Sequence, residues 1–218
     1  MSTLKRSKTR TTFHHGDLNA ALREAALAFI RRHGVEGFSL REVAREVGVS
    51  PSATYRHFAD RAALLSAVAA DGFTKLGLAM ERATADATGQ PEGALERARL
   101  RAVVGAYVRF ATTHPEELQV MFGPYGIGGA TAAVLRLRDP DRPKAIDQLR
   151  MRIDGLITAG EVPEADRERA VVFVWATAHG LAWLLMDRAL DAVRADAETD
   201  DDIVEGTTRQ ILRGLGAR

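Results

Sequence analysis

The chain has 218 residues, of which 46% are hydrophobic and 27% charged, a balance typical of a globular protein with one or two domains. It contains no cysteine, which excludes disulfides, thiolate metal sites and cysteine nucleophiles. The formal net charge of +1 conceals an asymmetry, because residues 1–61 carry 11 basic and 6 acidic residues while residues 62–218 carry 19 and 23. The basic first part favours a polyanionic partner, although chance variation accounts for the asymmetry equally well.

Continuous apolar runs in the sequence fall short of the ~18 residues that a membrane-spanning helix requires. The basic N-terminus is not followed by the apolar stretch of a secretory signal, so we expect a cytoplasmic protein with no membrane partner. Residues 1–13 are polar and basic, and we expect them to form a flexible arm. This arm either contacts a phosphate backbone or minor groove or serves only as a solubilising tail.

Nearly every segment has a helical composition, rich in Ala, Leu, Arg and Glu, and no alternating strand pattern stands out. The sequence therefore predicts an all-α fold. The first predicted helix carries apolar residues at helical spacing from Leu18 to Ile30 and ends at Gly34. Beyond residue 59, start and stop signals predict helices over 60–85, 94–113, from 115 to a loop at 123–129, 131–138, 143–159, 163–190 and 200–212.

Two short helices are predicted between these segments. One begins at Ser39, whose spacing to Glu42 is that of a capping box, and it stops at Gly48. Ser50 and Pro51 then open another helix as its N-cap and first residue. A tight turn containing glycine between two short helices is what a helix-turn-helix requires, and its second helix is the one expected in the major groove of DNA.

These helices resemble the head of a known family of regulators. The stretches 39–44, 48–50, 55–58 and 64–65, together with the lead-in 14–18, are similar in residues and spacing to the TetR family. The resemblance covers roughly residues 14–68. It implies a helix-turn-helix domain over residues 14–60 and, over residues 61–218, a helical domain that binds an effector and forms a homodimer through its last two helices. Trp175, His179 and Gly180 are similar to a subgroup named for a Trp-His-Gly C-terminal domain.

Three positions depart from the pattern that the TetR family often shows. Pro51-Ser52 replaces a Lys-Gly pair, Thr54 replaces an apolar residue, and Arg61 replaces a lysine. The arginine keeps a cation suited to phosphate. The other departures lie where bases would be read, so they leave the base preference open.

Candidate DNA contacts follow from side-chain chemistry. Those suited to phosphate are Ser39, Tyr55, His57 and Arg61. Those suited to base edges are Ser52, Ala53 and Thr54, which follow Ser50 and Pro51 at the start of the third helix. Arg56 suits either role, Tyr55 suits core packing as well as phosphate, and Phe58 is expected in the core. We expect Thr54→Ala to change operator preference and Arg61→Ala to weaken all DNA binding alike.

The resemblance also implies an effector site in the helical body. The candidate lining residues are Tyr107, Phe110, Met121, Phe122, Trp175, His179 and Trp183. The last three share one helical face at a spacing of four, although ordinary core packing explains any single one of the seven. The segment 171–186 is apolar nearly all round, which favours cover by a partner chain.

The sequence thus predicts a DNA-binding transcriptional regulator, a repressor that a small-molecule effector of unknown identity releases from a palindromic operator. Its histidines are scattered, without the spacing of a zinc protease, and the glycines of 123–129 lack the lysine of a phosphate loop. We therefore expect no catalysis, metal or cofactor. Two alternatives remain: a helical enzyme or sequestering protein that binds a small molecule without DNA, and a general DNA-packaging or scaffold protein.

Overall fold

The computed structural model describes residues 15–85, 91–123, 145–194 and 198–216. Within these ranges it contains nine α-helices and no strand, which confirms the predicted all-α fold. In chain order they are α1 (His15–His33), α2 (Leu40–Val47), α3 (Pro51–His57), α4 (Arg61–Ala85), α5 (Glu92–Thr113), α6 (Pro115–Phe122), α7 (Ala145–Thr158), α8 (Arg167–Met186) and α9 (Asp200–Gly214). Two short 3-10 helices, Glu164–Asp166 and Ala189–Ala192, flank α8.

The described residues divide into two compact units. The first unit comprises residues 15–70 and 119–123, and the second unit comprises the others. The division falls inside α4, after Ala70, rather than at the predicted boundary after residue 60. The difference has a physical reason, because the first turns of α4 contribute apolar side chains to the core of the first unit.

The core of the first unit is built from the predicted apolar face of α1 and from the helices that follow it. Leu22 and Ile30 from α1, Val43 from α2, Phe58 after α3 and Leu64 from α4 are all buried in one cluster. α2 contacts both α1 and α3. The short helices α2 and α3 bury little surface alone, so this cluster, which they share with α1 and α4, is what stabilises them. The expectation that Phe58 is a core residue is confirmed.

The turn between α2 and α3 follows the predicted start and stop signals. The hydroxyl of Ser39 accepts a hydrogen bond from the backbone N–H of Glu42 (3.3 Å) and donates one to its carboxylate (2.8 Å). Gly48 ends α2 with a φ of +79°, in the left-handed region that favours glycine. Ser50 caps α3 by accepting from the backbone N–H of Ala53 (3.3 Å). These local contacts fix the direction in which α3 leaves the turn.

The second unit is organised around α5, which packs against α7, α8 and α9. Its interior is apolar, with fully or almost fully buried side chains from all four helices: Leu100 and Val104, Ile153, Val174 and Ile211. α8 also contacts α7 and α9. The central position of α5 brings its side chains next to those of α8, and this neighbourhood contains the candidate effector residues.

A buried charge pair connects α5 to α7. Glu96 and Arg152 are only 7% and 8% exposed, and the guanidinium donates to the carboxylate at 3.4 Å. Arg99 donates to the same carboxylate at 2.6 Å. Burial lowers the pKa of Arg152, and the Glu96 carboxylate opposes that shift. Gly155 makes room for the pair, because a Cβ at this position would lie 2.6 Å from the Glu96 side chain.

The end of α8 differs from the sequence prediction, whereas α9 begins at the predicted residue Asp200. α8 stops at Met186 rather than near residue 190, because Arg188 takes a positive φ of 55° and turns the chain into a 3-10 helix. α9 opens with a capping box that we did not predict. Thr199 accepts from the backbone N–H of Asp202, whose carboxylate accepts from the backbone N–H of Thr199.

Several predicted features lie outside the described residues. They are the basic arm at 1–13, the glycine and glutamine of the break at 89–91, the loop after residue 123 and the short helix at 131–138.

Two helical segments are long and apolar enough to cross a membrane by length and composition, namely α4 and Glu164–Met186. This finding differs from the expectation that no segment reaches that length. The most apolar stretches of the two segments are 44% and 33% buried within the protein. Core helices of proteins outside membranes meet the same criteria, so length and hydropathy do not place this chain in a membrane.

Candidate functional site

The outward face of α3 is polar and accessible. Its exposed residues are Ser50, Pro51, Ser52, Tyr55 and Arg56, and Ala53 and His57 are half-buried. Tyr55 is 48% exposed, which favours its phosphate-binding role over core packing. The Ser50 and Ser52 hydroxyls lie 3.0 Å apart, and Arg56 Nε donates to the Ser52 carbonyl oxygen at 3.5 Å. The face therefore presents two hydroxyls, a phenol and a guanidinium on one short helix.

Thr54 does not belong to this face. Its side chain is 0% exposed, and its hydroxyl oxygen has no hydrogen-bond partner among the described residues. A buried side chain cannot reach a base edge, so the prediction that Thr54 reads bases is wrong. The physical reason is the helical repeat, since Thr54 lies four residues before the core residue Phe58 and shares its face.

Two of the predicted phosphate contacts also hold the first unit together. Ser39 uses its hydroxyl to cap α2, as described above. Arg61, at the start of α4, donates from Nη2 to the Val35 carbonyl oxygen, and its guanidinium lies 5.9 Å from the centre of the Phe38 ring. A phosphate bound by Arg61 would share a guanidinium that is already engaged, so its DNA role stays a prediction.

Two exposed arginines of α2 were missed in the sequence analysis. Arg41 and Arg45 are exposed, four residues apart on one side of the helix, while Leu40, Val43 and Ala44 are buried on the other. Their spacing relative to those apolar residues was visible in the sequence. They add two cations to the surface of the helix-turn-helix.

The second unit brings four of the predicted effector residues together by hydrogen bonds. Tyr107 on α5 is 4% exposed, and its hydroxyl oxygen lies 2.6 Å from His179 Nδ1 on α8. Trp183 Nε1 donates to His179 Nε2 at 2.9 Å. The Trp175 side chain is also hydrogen-bonded to Tyr107. The rings of Tyr107 and Trp183 both meet the imidazole edge-to-face, at 6.2 and 6.1 Å. We call Tyr107, Trp175, His179 and Trp183 the aromatic network.

Burial determines the protonation of this network. It raises the pKa of Tyr107 above its ordinary value, a shift that the hydrogen bond with Trp175 opposes. It lowers the pKa of His179. The phenol and the imidazole are therefore both neutral at physiological pH.

The other three candidate effector residues lie elsewhere. Phe110 is one turn beyond Tyr107 on α5, and its ring stacks on His114 at a centroid distance of 4.8 Å. Met121 and Phe122 belong to the first unit, where Met121 is fully buried. The hydrogen-bonded cluster is thus smaller than the predicted set.

One side of α8 exposes apolar and small side chains in a stripe, which consists of Val172, Phe173, Ala176, Gly180 and Leu184. Val172 is 61% exposed, and Leu184 is 45% exposed. An open cleft of about 290 Å³ adjoins Phe173, and its lining includes Val162, the charged Asp166 and Arg169, and Gly214 at the end of α9. Exposed apolar side chains of this kind are typical of surfaces that contact other molecules. The cleft contains none of the predicted effector residues.

Two protein-family models match this chain, over separate segments. Residues 22–68 match the family described as bacterial regulatory proteins of the tetR family, and residues 100–209 match the family described as tetracyclin repressor-like, C-terminal domain. The first match contains α2, α3 and the start of α4, and the second contains the whole aromatic network.

Individual relatives agree with these matches. A protein of unknown function from Rhodococcus sp. RHA1 is 35% identical, with a TM-score of 0.76 over 96% of this chain and 100% of that one. A tetR-family regulatory protein from Rhodococcus RHA1 shares the fold, at 19% identity and a TM-score of 0.62 over 92% and 97% of the two chains.

A curated relative, HTH-type transcriptional regulator Rv1816 of Mycobacterium tuberculosis, is 33% identical over 91 residues. These are 42% of this chain but only 37% of that protein's length. The structural relatives and the family matches, by contrast, extend over most of the chain. The chain therefore belongs to the TetR family of bacterial regulatory proteins.

Proposed function

We propose that the protein is a cytoplasmic, non-catalytic transcriptional regulator, a homodimeric repressor that a small-molecule effector releases from a palindromic operator. The observation that carries the DNA-binding part is the exposed polar face of α3, on a helix held by the glycine turn against α2. Such a helix presents its N-terminal residues to base edges in the major groove. The half-sites of the operator would lie about one helical turn of DNA apart.

The residues of this face divide by chemistry. Pro51, Ser52 and Ala53 at the start of α3 contact bases, because short side chains allow the helix to approach the groove. Tyr55, His57, Arg61 and the capped N-termini at Ser39 and Ser50 contact phosphates and set the register. Arg56 reads a guanine or binds a phosphate.

The apolar stripe on α8 supports the homodimer. Ala176 and Gly180 at its centre allow two helices to approach closely, and the larger side chains around them supply the buried apolar area. A pair of such chains presents two copies of α3, as a palindromic operator requires.

The aromatic network supports effector binding in the second unit. An effector that binds better to the conformation unable to contact DNA lowers operator affinity by the ratio of its two affinities. Trp175, His179 and Gly180 follow one another along α8, and we retain the Trp-His-Gly subgroup as part of this proposal.

The test is a gel-shift titration with the DNA that flanks the gene of this protein. We expect a specific complex that random DNA competes for poorly, whereas a packaging protein would lose its complex to both DNAs alike. Arg56→Ala should weaken the complex by at least about tenfold. Arg101→Ala, an exposed arginine on α5, is the matched control and should change nothing. Absence of any shift at low salt, with folded protein, would refute DNA binding and favour the alternative of a helical protein that binds only a small molecule.

A further inference from the structure

The aromatic network leaves one hydrogen-bond donor without an acceptor. Trp183 donates its indole N–H to His179 Nε2, so this nitrogen carries no hydrogen. A neutral imidazole then carries its hydrogen on Nδ1, which must donate to the Tyr107 oxygen at 2.6 Å. If Tyr107 instead donated to His179 Nδ1, neither nitrogen of the imidazole would carry a hydrogen, which a neutral imidazole does not allow. The Trp175 indole, which can only donate, lowers the pKa of Tyr107 against the effect of burial.

The Tyr107 oxygen therefore accepts the hydrogen bond from His179, and the hydrogen of its own O–H is not used in that bond. None of the hydrogen bonds of Tyr107 among the described residues provides an acceptor for this hydrogen. Tyr107 is 4% exposed, so little of this residue is open to bulk water. Buried donors in native proteins are nearly always paired, because an unmade bond costs the full desolvation of the group.

Among the described residues, the positions next to Tyr107 and His179 on their own helices are apolar. The face of α5 around Tyr107 carries Val103, Val104 and Ala111, all buried, and Ala182, one turn beyond the imidazole on α8, is buried as well. The four side chains of the network supply no charge, since the imidazole has to be neutral to accept from Trp183. A carboxylate buried against them would lack the compensating cation that it needs.

We propose that the effector is an apolar molecule with a neutral carbonyl oxygen, which accepts the hydrogen bond from the Tyr107 hydroxyl. This inference rests on the proposed function, because it names the class of effector that the network recognises. The imidazole and the two indoles act as positioning residues, since their hydrogen bonds hold the phenol with its O–H outward. The arrangement selects for an acceptor, because the hydrogen of the Tyr107 O–H is what a bound molecule has to receive.

The chain offers a direct probe of this site. Its two tryptophans, Trp175 and Trp183, are both members of the network, so intrinsic tryptophan emission reports on it alone. We would titrate the full-length protein with 2-octanone, with 2-methyl-1-octene, which replaces the carbonyl oxygen by a methylene group, and with octanoate. Calorimetry gives the affinities, and emission, corrected for quenching of N-acetyltryptophanamide, gives the location.

We expect 2-octanone to bind five- to tenfold more tightly than the alkene, the ratio typical of one neutral hydrogen bond. Tyr107→Phe should abolish this preference. Thr177→Val is the matched control, because it removes an α8 hydroxyl that is already bonded to the Phe173 carbonyl, and it should retain the preference. The comparison of ketone and alkene in the unaltered protein remains decisive if Tyr107→Phe fails to fold.

Equal affinities for ketone and alkene, a preference that survives in Tyr107→Phe, tighter binding of octanoate, or no binding of any probe would each overturn the inference. A gel-shift with the operator, run with and without 2-octanone, separates this failure from failure of the proposed function. Operator binding without a ketone preference overturns the effector class alone. If the protein prefers the ketone to the alkene but does not bind the operator, the proposed regulator function is wrong and the proposed ketone-binding site stands.

Discussion

The hydroxyl of Thr54 is a polar group in the apolar core of the first unit, without a partner among the described residues. Valine has the same shape without the hydroxyl. We therefore expect Thr54→Val to raise the free energy of unfolding by about 1 kcal/mol, because an unpaired buried group is removed and no cavity forms. Chemical denaturation measures the change.

The same substitution separates stability from base reading. Thr54→Val should leave the ranking of operator sequences unchanged, whereas Ser52→Ala, on the exposed face of α3, should alter that ranking without lowering stability. Gel-shifts with a set of operator variants make the comparison. If Thr54→Val changed the ranking of operator sequences, Thr54 would have to contact DNA after all.

His179 gives the second unit a dependence on pH. Burial lowers its pKa in the folded protein, so the unfolded chain binds a proton at a pH where the folded one does not. The stability from the neutral imidazole is present above the unfolded value of about 6.5 and is lost as pH falls through the lower folded value. We expect the melting temperature, followed by tryptophan emission, to fall between pH of about 7 and about 5.

The matched variant for this titration is His179→Gln, which keeps a donor and an acceptor but does not titrate. Its melting temperature should fall less over the same pH range. Tyr107 does not interfere, because its raised pKa keeps the phenol protonated throughout. If the two proteins lost stability equally, the pH dependence would come from groups outside the network.

Residue-level chemistry was only partly predictable from the sequence. The exposed face of α3 followed from the helix start at Ser50, and the burial of Thr54 was available from its spacing to Phe58. The hydrogen bond between Tyr107 and His179 was not, because it joins residues 72 positions apart and depends on how α5 packs against α8. Sequence periodicity assigns a face to each helix but does not pair the faces of distant helices.

At the scale of elements, the two sides of α8 differ in exposure. Val174 and Ala182 on one side are buried in the second unit, whereas the stripe that includes Leu184 is exposed. If this stripe is the dimer contact, Leu184→Glu places a carboxylate without a partner in an apolar interface. We expect the dimer dissociation constant to rise by roughly a hundredfold, measured by sedimentation, because burying an unpaired charge costs several kcal/mol.

Val193 provides the control for this change. It is 78% exposed and lies beyond the end of α8, so Val193→Glu should leave the dimer intact. A dimer that tolerates Leu184→Glu as well would show that the stripe is not the contact. In that case the exposed apolar side of α8 belongs to another interaction.

The bounds of most helices were predictable because local signals define them. α3 begins at the proline after Ser50, and α4 and α5 end at the predicted residues Ala85 and Thr113. The end of α8 was not predictable, because a left-handed arginine rather than a glycine or proline stops the helix. Only the backbone geometry reveals such a stop.

For the whole molecule, the two proposed binding activities must obey reciprocity. If 2-octanone weakens operator binding by a given factor, operator DNA weakens 2-octanone binding by the same factor. Couplings of this kind usually amount to about 5- to 150-fold. Ketone titrations followed by tryptophan emission, with operator duplex and with a scrambled duplex, measure one factor, and gel-shifts measure the other. Unequal factors would mean that the ketone does not act through a conformational equilibrium.

Gly155 imposes a constraint on variation in the sequence. Because a Cβ at this position would lie 2.6 Å from the Glu96 side chain, an alanine at position 155 forces that side chain to shift, and a smaller residue at position 96 would relieve the clash. A smaller residue at position 96 in turn removes the carboxylate that faces the buried Arg152. Substitutions at positions 96, 152 and 155 are therefore coupled. In laboratory selections for stability, we expect these three positions to change together.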